Sequence, residues 1–147
     1  MKIWLEAQLR LVSRALRRRG IAQDILEDAE VHVSHGFHLC RAYCIEDGIY
    51  VAWWYVVLCR WLKRERQLRG LLRHELAHVL AQWEDVRETF GLPDYFKSRW
   101  PRFKAELAYV GRGLRDYGAI HPEEAFAEDV RKMDRETLRL LADVTKL

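Results

Sequence analysis

"LLRHELAHVL", residues 71–80, holds His74, Glu75 and His78 in the spacing H-E-x-x-H. On a helix, His74 and His78 stand one turn apart, so both imidazoles leave the same face and can share one ion. Glu75, beside the first histidine, can then reach a water on that ion as general base. The apolar positions Leu72, Leu76, Val79, Leu80, Trp83 and Val86 fit one helix from Leu71 to about Phe90, which Gly91 and Pro93 stop. Two histidines are too few for a hydrolytic zinc, which takes three protein ligands and keeps a position for water. The rest of the chain must supply the third.

Upstream, residues 3–19 put Ile3, Leu5, Leu9, Val12 and Leu16 near one face of a helix, which Gly20 ends. "AEVHVSHG" alternates as a strand does, with Val31 and Val33 on one side. "RAYCIEDGIYVAW" reads as a hairpin about Glu46-Asp47-Gly48, because Asp-Gly is a strong tight-turn signal. The basic stretch 56–69 is helix or irregular, and Gly70 punctuates it. Downstream, 94–104 is irregular, 103–116 weakly helical and "GAIHP" a loop. Pro122 suits the first turn of a helix continuing through 123–132, and a last short helix covers about 134–143. The order is helix, small antiparallel or mixed sheet, then helices: an α+β fold in a single domain, 1–147.

Composition agrees with a globular protein. The chain has 147 residues, half of them apolar and about a third charged, with a formal net charge of +3. Basic residues gather in "LRLVSRALRRRG" and "CRWLKRERQLRGLLRH", acidic ones in "IAQDILEDAE" and near "HPEEAFAED". Three cysteines form no paired framework, so reduced thiols and a cytoplasmic setting are expected. Glu6, Arg10 and Arg14 interrupt the apolar centre that a signal peptide needs. The longest apolar run, "IYVAWWYVVLC" at 49–59, is too short to span a bilayer, and no membrane partner is expected.

The third ligand is sought in "HPEEAFAEDV", 121–130. Glu124 and Glu128 are one helical turn apart and share a face. Glu124 can bind the ion, while Glu128 can accept a hydrogen bond from the far nitrogen of a ligating histidine and fix its tautomer. A metzincin would need Gly and His where this chain has Ala81 and Glu84. A peptide deformylase would need Asp at position 77, where Ala77 stands.

"HELAH" followed by "DYGAIHPEEAFAED" resembles the gluzincin metallopeptidases, and within them the anthrax-lethal-factor-like group that includes the Pro-Pro endopeptidases. The similarity covers roughly residues 41–132; the N-terminus departs from the group. The resemblance implies a zincin-like domain holding one zinc ion on His74, His78 and Glu124. Glu124 opens the group's E-x-F-A-E motif, matched by Glu124, Ala125, Phe126, Ala127 and Glu128. Tyr117, seven residues before Glu124, matches the tyrosine that stabilises the oxyanion. The implied activity is endopeptidase cleavage of a peptide or protein substrate, with Glu75 as base. Strand 48–52 would bind the extended substrate by backbone pairing. Tyr50, Trp53 and Trp54 would line a subsite.

Alternatives stay open at this level. His121 or Glu123 could replace Glu124 if the helix starts at another phase, and Tyr109 or Tyr95 could replace Tyr117. His35, His38, Cys40 and Cys44 could form a second metal site. Arg60, Lys63, Arg64, Arg66, Arg69 and Arg73 raise a rival function in nucleic-acid binding, as in SprT-like proteases or a non-catalytic zinc module.

Overall fold

Short β-rich runs with one apolar face need a helical layer to cover that face. The computed structural model describes residues 1–35, 41–93 and 121–146. Strands β1 (Glu30–Ser34), β2 (Ala42–Ile45) and β3 (Gly48–Ala52) form one mixed sheet in the order β1-β3-β2. β3 runs parallel to β1 and antiparallel to β2. Alternation puts Val31, Ile49 and Val51 on one face, where they are buried. His32, Tyr50 and Tyr43 fall on the other face, where their rings stack in a row with neighbouring centroids 5.1 Å apart.

The hairpin forms where it is expected, but its turn sits one residue earlier than Asp-Gly suggests. Ile45 pairs with Gly48, so Glu46 and Asp47 are the loop residues, and Glu46 takes the left-handed conformation at φ 53°. Gly48 is already strand. A Cβ there would come within 2.9 Å of the Tyr50 ring, so glycine serves close approach at this position.

Seven helices occur among the described residues: α1 (Lys2–Arg18), α2 (Gln23–Glu27), α3 (Trp53–Trp61), α4 (Glu65–Leu80), α5 (Glu84–Thr89), α6 (Pro122–Arg131) and α7 (Arg135–Thr145). The architecture is therefore α+β. α1 buries Leu5, Leu9, Val12 and Leu16 as its periodicity predicts, whereas Ile3 is 80% exposed. α4 is the central helix. Its leucines Leu68, Leu72, Leu76 and Leu80 join one buried cluster with the α1 leucines and with Ile49 and Val51 of β3. Its other side packs on α6. None of the described helices is long and apolar enough to cross a membrane.

Two expectations about this region are corrected. The helix predicted from Leu71 to about Phe90 begins earlier, at Glu65, and breaks after Leu80; Trp83 is extended and caps the separate α5. The break turns Arg87 back, so that its Nη1 donates to the carbonyl of Ala81 at 3.0 Å, near the end of α4. Gly70 does not punctuate the chain but lies buried inside α4, where a Cβ would be 3.7 Å from the Arg131 side chain of α6.

Four helix ends share one device. After α1, α3, α5 and α6 the chain enters the left-handed region at Gly20, Lys63, Gly91 and Met133, with φ of 94°, 54°, 64° and 58°. The next N–H then reaches back five residues: Ile21 to Leu16, Arg64 to Cys59, Leu92 to Arg87 and Asp134 to Asp129. This is the Schellman arrangement, which satisfies carbonyls that a helix end leaves without partners. Asp134 then caps α7 by accepting from the Thr137 N–H at 3.0 Å.

Candidate metal centre

The phase of α6 is set at its start. Pro122 occupies the first turn, where a missing N–H costs nothing. The ring of His121 caps the helix, with Nδ1 accepting from the Glu123 N–H at 3.1 Å. That phase directs Glu124 and Glu128, one turn apart, at the histidine stripe of α4. Glu123 is turned about 100° away.

Three donor atoms converge between the two helices. Nε2 of His74 and Nε2 of His78 lie 3.3 Å apart, and Oε2 of Glu124 is 3.0 Å from the first and 3.2 Å from the second. A tetrahedral ion with bonds of about 2.0–2.1 Å needs its ligands about 3.3 Å apart, so the triangle has the required size. His74 is 4% exposed, His78 1% and Glu124 0%. This buried group could hold a metal ion. The second oxygen of Glu124, Oε1, is buried and has no hydrogen-bond partner among the described residues. A buried carboxylate oxygen in that condition calls for an ion or a water.

Behind the triangle, each imidazole meets a carboxylate. His78 Nδ1 lies 2.7 Å from Glu123 Oε2, and the other oxygen of Glu123 accepts from Arg87 Nη1 at 2.6 Å. His74 Nδ1 lies 3.4 Å from Glu128 Oε2, and Glu128 also pairs with Arg131 Nε. A carboxylate only accepts, so each Nδ1 carries its proton outward, and a neutral ring is left with its Nε2 lone pair toward the centre. Arg73 Nε donates to the Arg131 carbonyl at 2.9 Å, tying α4 to the end of α6.

The charges are strongly coupled. Burial alone pushes His74 down, yet the Glu124 and Glu128 carboxylates outweigh it and lift its pKa to about 9. Burial likewise disfavours charge on His78, and Glu124 and Glu123 hold it well above its ordinary value. Burial acts to raise Glu124, but His78 and His74 keep it far below the carboxylate range. Glu128 is held down against burial by His74 and Arg131. Without an ion, protons on the rings balance the carboxylate.

The residues chosen from sequence fall into place unevenly. His74, His78 and Glu124 meet, Glu128 backs His74, and Glu75 is buried one residue along α4. His121 and Glu123, the alternatives to Glu124, are occupied instead as helix cap and as partner of His78. Glu123 in that role and Arg87 were missed. The one available signal is the Glu-Glu pair itself, since neighbouring helical residues point about 100° apart and so cannot take the same role. Tyr117, with Tyr95 and Tyr109, lies outside the described residues.

The substrate strand needs correction. β3 is the middle strand, hydrogen-bonded to β1 on one side and β2 on the other, so residues 48–52 have no free edge for an extended peptide. Tyr50 is stacked between His32 and Tyr43 on the sheet, and Trp53 and Trp54 open α3, partly exposed. These three sit on elements other than the two that build the triangle. Of the suggested second metal group, His38 and Cys40 lie outside the described residues, and Cys44 Sγ donates to the Glu46 carbonyl. The basic segment divides: Arg60, Lys63, Arg64 and Arg66 are exposed, while Arg69 reaches Gln8 and Arg73 the Arg131 carbonyl. Comparison with protein-family models, curated proteins and solved structures finds no match to this chain.

Proposed function

We propose that the chain is a zinc-dependent peptidase, resting on the convergence of His74 Nε2, His78 Nε2 and Glu124 Oε2 at tetrahedral spacing. Two imidazoles and one carboxylate form a donor set suited to zinc and leave a fourth position open, as hydrolytic sites do. Bound zinc supplies Lewis-acid polarisation of the substrate carbonyl and lowers the pKa of a water to about 7. Glu75, next to His74 on α4, would serve as the general base that accepts a proton from an attacking water and returns it to the leaving amine. Glu123 and Glu128 hold the two rings in the tautomer and orientation that ligation requires. Tyr117 is assigned to the oxyanion, on the family resemblance alone.

An extended substrate would pair with β2 rather than β3. Among the described residues the outer edge of β2 has no neighbouring strand. β2 packs against α4, and Gln82 Nε2, just past the end of α4, donates to the Glu46 carbonyl in the hairpin. Backbone pairing there would run a peptide alongside the helix that carries Glu75.

The test is Glu75→Gln, with zinc content and cleavage of a peptide library measured together. Retained zinc with lost cleavage supports the assignment. A zinc-loaded wild-type protein that cleaves no peptide would leave only a binding role.

A further inference from the structure

α3 is apolar on the side it buries and on the side it shows. Tyr55, Val56 and Cys59 are buried. At 100° per residue the remaining apolar positions, Trp53, Trp54, Val57, Leu58, Trp61 and Leu62, cover the opposite half of the helix and its C-cap. Their exposures run from 37% at Trp54 and Leu58 to 79% at Trp61. A helix apolar all round belongs in a core or against a membrane, and a continuous exposed patch of this kind marks a contact surface.

The charges around the patch choose the occupant. From Trp53 to Arg64 the chain has no acidic residue, and Arg60, Lys63, Arg64 and Arg66 are exposed at the C-terminal end. The Arg60 guanidinium lies 5.8 Å from the Trp4 ring centroid, which brings the start of α1, with its exposed Met1 and Ile3, beside this end of α3. A second copy of the same face would set four cations against four, and Glu65, half-buried between Arg64 and Arg66, is the one carboxylate between Trp53 and Arg66 to offset them. An anionic lipid surface offers what the patch lacks: negative headgroups for the cations and an interface that tryptophan favours. Nine helical residues are far too few to span, so the helix would lie in the plane of the interface.

We infer that the exposed face of α3, with its basic C-terminal end, seats this protein on an anionic membrane surface. This is independent of the metal centre. The expectation of no membrane partner considered only spanning segments, and this proposal concerns the interface instead.

Co-sedimentation of the full chain with vesicles tests it, comparing phosphatidylcholine alone with phosphatidylcholine mixed with phosphatidylglycerol at about 0.1 M salt. Binding is expected only to the mixed vesicles, and weakening as salt rises. The pair Trp61→Ser and Leu58→Ser, and separately Lys63→Glu with Arg64→Glu, should each lower it by about tenfold or more, with metal content and circular dichroism unchanged. Binding that survives the Trp61 and Leu58 changes overturns the inference. So does a folded wild type that ignores both vesicles, whether it instead forms a dimer that those changes dissociate or is retained by duplex DNA.

Discussion

His78 Nδ1 lies 2.7 Å from Glu123 Oε2, and Arg87 holds the other oxygen of that carboxylate. Glu123 and Glu124 are adjacent in sequence yet serve opposite sides of one imidazole. Glu124 meets Nε2 in the triangle, and Glu123 grips Nδ1 behind it. The histidine is thus fixed at both nitrogens by neighbours that a helix turns 100° apart.

Glu123→Gln keeps the shape and removes the charge behind His78. Metal affinity, measured by competition with a chelator, should fall about 10- to 100-fold, the range for loss of such a partner. Arg87→Met should instead act on the fold, costing about 3–5 kcal/mol by leaving a buried carboxylate without its cation. Unchanged affinity in Glu123→Gln would show that the ring needs no such support.

Glu124 and Glu128 differ in role, so their substitutions should separate. Glu124→Gln should abolish stoichiometric metal in purified protein, measured by elemental analysis. Glu128→Gln should bind one ion more weakly, since it removes only the partner of His74 Nδ1. The reverse order would exchange the two assignments.

Chelation should leave the chain folded. In the metal-free cluster His74 and His78 both lie within hydrogen-bond distance of Glu124, so the buried carboxylate keeps partners. Far-ultraviolet circular dichroism should be retained while Tm falls. Restoring free metal to 100-fold above Kd should return about 2.7 kcal/mol. Unfolding on chelation would make the ion structural.

The left-handed helix ends predict opposite responses to substitution. Lys63→Gly should raise stability by about 0.5–1 kcal/mol, because Lys63 is exposed and its φ of 54° strains any residue with a Cβ. Gly20→Ala should cost more than about 1 kcal/mol, since φ is 94° and the new Cβ would lie 3.2 Å from that of Ala142. Urea midpoints measure both.

Tyr55 sets an alkaline limit. Burial, with Cys59 adding to it, outweighs Arg41 and raises its pKa to about 12. The folded state therefore favours the neutral phenol. Below about pH 10 neither state ionises and nothing is lost; from about 10 to 12 the unfolded chain alone releases the proton, so stability falls by about 1.4 kcal/mol per pH unit. Urea midpoints across that window should fall less steeply in Tyr55→Phe than in the wild type. Parallel slopes would place the phenol in water.

What could be read from the sequence was local. The spacing of His74 and His78, and of Glu124 and Glu128, follows from 3.6 residues per turn, so each pair had to share a face once its helix formed. Pro122, Gly20, Gly91 and the period-2 run before Ala52 carry their signals in the backbone chemistry of single residues. These determined the α+β order and the shared face of each pair, whereas the choice of Glu124 over His121 and Glu123 as third member of the triangle waited on the phase of α6. Packing between distant segments decided the rest. The central place of β3 depends on β1, eighteen residues upstream in the paired register, and no alternation pattern says which neighbour a strand finds. The break after Leu80 lets Arg87 meet Glu123, a contact across 36 residues that no local pattern announces. The exposure of α3 is likewise tertiary: "WWYVVLC" has the composition of a core segment, and among the described residues α4 and the sheet cover one half of it and leave the other half facing outward. Helix geometry acts within a turn and is written in the sequence, whereas burial depends on which surfaces the whole chain brings together.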